Sequence, residues 1–452
     1  MIKAEKTETR VSRQSYWGDD EFQLEMERIF RRCWLFVAHE SEIARPGDYV
    51  TRNLGGEDVI VTRDESGTIR AFLNSCTHRG TQLCRADLGN SSHFRCSYHG
   101  WTFANSGDLK GVPERKQVFD ASFDKSAFGL VRVPHVDSFH GLVFASWNPD
   151  APPLAEELGP AAWYLRGVLD KAGDLVAAGP PARARVRTNW KLGSENFAGD
   201  GYHLATTHQS PIELGTYLNT DAFPQLEGVS MAGMRGRCVV AGNGHTFRVQ
   251  HYDLPGTEPV FLGYPPEKWQ SMAEGLEPGQ IDLMSRLSVL HGNIFPNLSL
   301  IDAAALTSGD DTPAVSYVQF RVWRPLDSTH CELLLWALVP KWYDDQQRAH
   351  SLRANLRMVG LAGIFDTDDL QNWTSVADMS RGALSRTGDF VYEGGLSAPK
   401  DTEKHWPGDV YDIDHSETNQ RELYRRWAEL MNDTSYAPTA AAPSRAGRST
   451  AR

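Results

Sequence analysis

Apolar residues recur at helical spacing over 18–36 (DDEFQLEMERIFRRCWLFV), where Phe22, Met26, Ile29 and Phe30 follow an acidic start; the pattern predicts an amphipathic helix. From Gly47 to Trp147 it changes to short alternating runs, DVIVTRD, IRAFLNS and LVFASWNP, broken by Gly, Asn and Asp. These predict a small antiparallel β domain. The stretch APPLAEELGP after Asp150 reads as a linker into a helix over 160–172. Strand character then appears at 184–190 and a helical stretch at 193–209. RCVVAG, NLSLI, AVSYVQFRVWRP and CELLLWALVP have the composition of strands in a larger sheet. Residues 344–361 and 416–432 have helical patterns, and the Ala/Pro/Ser-rich tail over 433–452 predicts disorder. No internal repeat is visible.

At 452 residues the chain is long for one core and implies two domains or one large composite. A net charge of −12 argues against a nucleic-acid partner, which demands a basic face. No apolar run is long enough to span a membrane, and the polar start MIKAEKTETRVSRQS is not a signal peptide, so the cytoplasm is the expected location. Six scattered cysteines, Cys33, Cys76, Cys84, Cys96, Cys238 and Cys331, are too few for a disulfide framework. In a reducing compartment, metal ligation is the better use for them.

Two of them have histidine companions. Cys76-Thr77-His78 and Cys96-Ser97-Tyr98-His99 are separated by residues 79–95, and Gly80 and Gly100 follow. Such a set could hold zinc. It also suits a Rieske [2Fe–2S] centre, where two cysteines hold one iron and two histidines the other, so that each loop supplies one of each. Glycines would let the backbone approach the sulfurs and donate N–H groups to them. The runs CTHRG and CSYHGWTF strongly resemble the Rieske proteins. Thr81 and Tyr98 stand where respiratory Rieske proteins carry a further cysteine pair, which implies the oxygenase and ferredoxin branch.

An electron carrier of this type would end after roughly a hundred residues; this chain continues. Asn189-Trp190-Lys191-Leu192, Glu195-Asn196-Phe197, Asp200, Tyr202-His203 and His208 follow. Two histidines and a carboxylate form the facial triad of O₂-activating iron enzymes. Five residues apart, His203 and His208 would diverge by roughly 140° on an ideal helix, so a bulge or break is expected between them. An acidic cluster at 364–373, IFDTDDLQNW, offers the carboxylate, although alone it reads as a solvated helix start. Asp200, three residues before His203, would share its helical face.

Both runs resemble the catalytic domain of the naphthalene and biphenyl dioxygenases, and the resemblance covers about residues 15 to 430. It implies an α+β fold. A helical segment (1–40) packs on the catalytic domain, a small antiparallel β Rieske domain spans 41–155, and the catalytic domain (156–432) has a curved antiparallel sheet covered by helices. It implies iron ligation by His203, His208 and Asp369, with Asp368 the confusable neighbour, and cluster ligation by Cys76, His78, Cys96 and His99. Asp200 would bridge His203 to His99 of a neighbouring subunit, and Asn196 would sit near the iron without binding it. Phe197, Leu204, Ile212, His291, Asn293 and Phe365 would line the pocket, each equally readable as core packing.

The implied activity is addition of both atoms of O₂ to an aromatic ring, giving a cis-dihydrodiol, with electrons from NADH through a reductase and ferredoxin. Three large subunits, commonly with three small ones, are expected. Apolar walls favour a two- or three-ring hydrocarbon. An aromatic acid would need a buried cation, and Arg235, Arg237 and Arg248, each reading as surface, are the candidates should one turn inward. An electron carrier, a dead scaffold and a Rieske monooxygenase or demethylase are the rival classes.

Overall fold

The computed structural model describes residues 9–214, 234–254, 256, 258–305 and 315–436; the tail from residue 437 on lies outside them. Contacts divide the chain into two units. One joins the first 24 residues to Ala155–Asn432, and the other consists of Glu25–Leu154 with the residues from Asp433.

The smaller unit is built from three antiparallel sheets. Asp48–Leu54, Glu57–Arg63, Ile69–Leu73 and Leu88–Asn90 form the largest, and Asp48–Leu54 alternates buried and half-buried positions with the period of a pleat. His93–Arg95, Thr102–Ala104 and Leu109–Gly111 form the second. Their core gathers Ile60, Phe72, Phe94, Trp101 and Phe103 around Cys76 and Cys96. The helix predicted over 18–36 is shorter than its pattern. It runs Asp19–Glu25, widens over Met26–Phe30, and gives way to the strand Leu35–His39. All five residues of that strand are buried, a pattern that a strand covered on both faces satisfies and an amphipathic helix does not. It pairs with Leu142–Ser146.

The larger unit is organised by a nine-stranded antiparallel sheet. Its central strands are β1 (Met234–Val240), β2 (Thr246–Tyr252), β3 (Leu287–Ile294), β4 (Leu298–Ala305), β5 (Val315–Asp327) and β6 (His330–Pro340), hydrogen-bonded in chain order. Short strands Leu175–Ala177 and Ala182–Val186 pair with β6, and Asp409–Tyr411 pairs with β1. Sequence patterning did not identify β2 and β3: TFRVQHY and LSVLHGNI mix polar and apolar residues although almost every position of both strands is buried.

Helices α1 (Trp190–Gly199), α4 (Asp345–Val359), α5 (Ile364–Met379) and α6 (Thr418–Asn432) belong to the same unit, with one-turn helices α2 (Leu204–Thr207) and α3 (Gln209–Glu213) between α1 and the sheet in sequence. Asn189 caps α1, accepting the Lys191 N–H and donating to the Ser328 carbonyl. Gly193 lets α1 seat on the sheet, since a Cβ there would lie 2.3 Å from the Trp323 ring. Among the described residues no helix is long and apolar enough to cross a membrane.

One buried polar knot ties the ends of this unit together. Tyr16, Tyr392 and Tyr424, from three distant segments, all direct their hydroxyls to Glu195 Oε2 on α1, at 2.8 Å for Tyr16 and 2.9 Å for Tyr392. Burial raises the Glu195 carboxyl to about 8, with the Tyr392 hydroxyl opposing and the Asp200 and Glu417 charges adding. A carboxyl that holds its proton more tightly when folded adds stability that is complete below its ordinary value of 4.5 and is lost as pH rises through about 8. Scanning calorimetry should therefore show the melting temperature falling by a few degrees across that window, and falling less in Glu195→Gln. Parallel profiles would show that Glu195 is ionised throughout.

Candidate metal centres

The two Cys/His loops have the same backbone construction. Cys76 N–H donates to the Thr81 carbonyl and Gly80 N–H returns to the Cys76 carbonyl; Cys96 repeats this with Trp101 and Gly100. Gly80 and Gly100 take φ of +75° and +70°, which glycine adopts without strain. The glycine amides thus bond cysteine carbonyls, not sulfurs as expected. The amides aimed at sulfur belong to His78 and Arg79 for Cys76, and to Tyr98 and His99 for Cys96.

The side chains pair by type. The two thiols are hydrogen-bonded to each other, and the His78 and His99 rings lie 4.5 Å apart between centroids. Trp101 stacks on His78 at 4.6 Å, and His78 Nδ1 is buried without a partner. A single zinc would need all four donors around one point. The four are not grouped that way among the described residues, whereas a cysteine pair beside a histidine pair is the donor set of a [2Fe–2S] centre. Cys84, also buried, is pushed up to about 12 by that burial and stands apart as a packed thiol.

In the larger unit the chain leaves α1 at Gly199 (φ +145°) and Asp200, whose ψ of 87° is not helical. Asp200 therefore does not share a helix with His203; a turn brings Asp200 Oδ2 within 3.2 Å of His203 Nδ1. His203 and His208 cap the two ends of the four-residue α2, so the break between helices falls at His208 itself. Their Nε2 atoms are 3.1 Å apart, and each is 3.4 Å from Asp369 Oδ1. Three ligands about 2.1 Å from one ion and at right angles lie about 3.0 Å from one another, so this triangle has the size of a facial site. It is also the one grouping of three donors compact enough for a single ion among the described residues.

Its electrostatics favour a cation. Burial works against a charged His203, but Asp200 and Asp369 outweigh it and lift the imidazole to about 10. Asp369, opposed by burial, is held down at about 2 by the two histidines. Asp368, expected only as a confusable neighbour, points instead to His208 Nδ1 at 3.6 Å. Asp200 thus lies within hydrogen-bond distance of the outer nitrogen of His203, the arrangement that fixes a ligand's tautomer, whereas Asp368 stands beyond that distance and gives His208 a nearby charge.

A cavity adjoins the triangle. Phe197, Leu204, His291 and Phe365 line it, and so does Asn196. Ile212 and Asn293 do not: Asn293 is fully buried and spent on Ser299 and Pro296. His291 explains what patterning missed. It pairs directly with Arg248 on β2 and Ile301 on β4, and the next positions along the same face are Val289, Ala303 and Tyr317. All five line the cavity. Arg248, read as surface, is 1 % exposed, whereas the Arg235 side chain is 69 % exposed beside Asp253 and Arg237 pairs with Asp401 away from the cavity. Burial, then the Arg248 and His203 charges, hold His291 well below its usual range, hence neutral.

Metal analysis of variants checks both centres separately. Wild type should bind about three irons per chain, and Asp369→Ala about two with the visible spectrum of the cluster intact. Cys96→Ser should lose that spectrum. Loss of cluster colour in Asp369→Ala would show that the acid acts only through stability.

The description "Rieske [2Fe-2S] domain" matches residues 33–133, and "Ring hydroxylating alpha subunit (catalytic domain)" matches 174–433. The chain is 35% identical over 417 residues to the N,N-dimethyl phenylurea N-demethylase subunit alpha of Sphingobium sp. (strain YBL2), covering 91% of this chain and 89% of that one. It is 34% identical over 428 residues to the large oxygenase component of the Pseudomonas aeruginosa naphthalene 1,2-dioxygenase system, covering 93% and 91%. The structure of naphthalene 1,2-dioxygenase from Rhodococcus sp. bound to indole superposes with a TM-score of 0.88 at 36% identity, over 94% of this chain and 95% of that one. Matched almost end to end and in both domains, the chain belongs to the ring-hydroxylating dioxygenase family, as a Rieske-type non-haem iron oxidoreductase of the alpha-subunit class.

Proposed function

We propose that the chain is the terminal oxygenase that adds both atoms of O₂ to an aromatic hydrocarbon of two or three rings, giving a cis-dihydrodiol. The observation that carries this reading is the donor triangle of His203, His208 and Asp369 opening onto a mainly apolar cavity. His203, His208 and Asp369 would hold the mononuclear iron, and Cys76, His78, Cys96 and His99 the cluster. Together these groups supply electron delivery and dioxygen activation when bound.

The chain's own residues do the rest. Phe197, Leu204 and Phe365 give the cavity apolar walls that would bind the ring and exclude water. Asp200 fixes the His203 imidazole, Asp368 flanks His208, and Asn196 borders the reacting space without taking a ligand position. The Asp200 side chain keeps 37 % of its surface exposed, consistent with a bridge to His99 of a neighbouring subunit. That role implies a ring of three large subunits, commonly with three small ones. Electrons would come from NADH through a reductase and ferredoxin, in keeping with relatives that are components of multi-part systems. The absence of a membrane-crossing helix among the described residues accords with a cytoplasmic enzyme.

A second reading, monooxygenation of an N-methyl group, is favoured by the phenylurea N-demethylase relative. Co-expression with electron-transfer partners under ¹⁸O₂ separates the two. Naphthalene should yield a dihydrodiol with both oxygens labelled; a single labelled oxygen, or demethylation of dimethyl phenylurea alone, would select the second. In Asp200→Asn, product formation should fall on the order of 10–100-fold with iron content unchanged. A reduced cluster that then reoxidises at the wild-type rate would remove Asp200 from the electron route.

A further inference from the structure

We infer that Ala303 fits the cavity to a fused aromatic hydrocarbon of three rings, its methyl side chain leaving the recess that the third ring occupies. This rests on the oxygenase reading above and deepens it by naming the ring count and the residue that sets it.

The sheet face beside the cavity is a series of cross-strand rows, two residues or about 6.8 Å apart along each strand. Asn293, Ser299 and Arg321 form one row. Arg248, His291 and Ile301 form the next, and Val289, Ala303 and Tyr317 the third. The donor triangle is tied to the first two. Asp366, one turn before Asp369, accepts from Arg321 at 3.0 Å, and Gly201, two residues before His203, lies against Arg248. Past the first row the face is filled: Asn293 is spent on Ser299, and Trp323, two residues beyond Arg321, lies 6.0 Å from the Phe197 ring between centroids. On the other side the cavity continues, since Val289, Ala303 and Tyr317 all line it.

The third row has a low point. Val289 and Tyr317 flank Ala303 in direct register, two strand spacings or roughly 9.5 Å apart. The smallest side chain thus stands between two larger ones, and Ile301, which faces the same way one row nearer the triangle, is larger as well. The reacting ring must lie beside the triangle, hence over the row of His291 and Ile301. From there only further fused rings reach the recess, and successive fused rings are spaced at less than half the distance between rows. The second ring of naphthalene therefore falls short of Ala303, and the third ring of phenanthrene reaches it. Alanine, valine and the face of a tyrosine ring favour apolar surface there.

The test is fluorescence titration of naphthalene and phenanthrene into the purified holoenzyme without its electron donors, so that neither is consumed. Ala303→Leu fills the recess. It should weaken phenanthrene binding by about tenfold and leave naphthalene within about twofold of wild type. A ratio of the two affinities that the substitution leaves unchanged would overturn the inference, whether both hydrocarbons keep their affinity or both lose it equally. If Ala303→Leu fails to fold, Ala303→Val, smaller and suited to a strand, should lower the same ratio by about threefold, and an unchanged ratio there would overturn the inference as well. Product analysis stands apart. If wild type binds both hydrocarbons yet oxygenates neither when its electron partners are supplied, the oxygenase reading fails while the ratio still judges Ala303. Binding of neither hydrocarbon by wild type would overturn both.

Discussion

A buried guanidinium sets the geometry on which the catalytic unit depends. Arg321, inaccessible on β5, donates to Gln319, to the Val359 carbonyl at the end of α4, and to Asp366 in the first turn of α5. Its plane also lies 4.4 Å from the Phe197 ring on α1. Asp366 and Asp369 are one helical turn apart, so anchoring the first to the sheet places the second against His203 and His208. The donor triangle is assembled from segments about 160 residues apart, and this clamp fixes their separation. Burial is severe enough to raise Asp366 to about 6 even beside Arg321, so the pair is held together as much by the cost of separating it as by attraction.

The two candidate centres are made in opposite ways. The cluster loops are local devices: a cysteine, a histidine two or three residues on, and a glycine that turns the chain so that intervening amides face the sulfur. Each loop carries its own geometry, and the surrounding strands need only bring two copies together. The mononuclear site has no such local construction. Its histidines sit at the ends of a single helical turn, and its acid arrives on a helix that Arg321 ties to the sheet.

Cavity chemistry follows from strand register. Residues directly opposite one another across antiparallel strands share a face. Arg248, His291 and Ile301 are therefore neighbours although about 43 and 10 residues separate them along the chain, with Val289, Ala303 and Tyr317 one step along. Asn293 shares that face yet lies a further step toward Trp323, where α1 covers it and Ser299 consumes it. Two residues of difference in position separate a wall residue from a core one.

Short-range chemistry was legible in the sequence. The Cys/His pairs, the His203 and His208 spacing with its required helix break, the acidic cluster at 364–373 (though only the family resemblance singled out Asp369 within it) and the strands richest in β-branched and aromatic residues could all be read there. Each depends on residues a few positions apart or on composition within one element. The tertiary structure alone decided the rest. It took Asp200 off the helix by a turn at Gly199, and it turned Asp368 toward His208. It ended the helix of 18–36 in a strand, and it swung Arg248 inward while leaving Arg235 outside. Arg248 and Arg235 look alike in sequence. What separates them is whether Asp414, from a segment about 166 residues away, arrives to compensate a buried charge, and that long-range contact exists only once the sheet has closed.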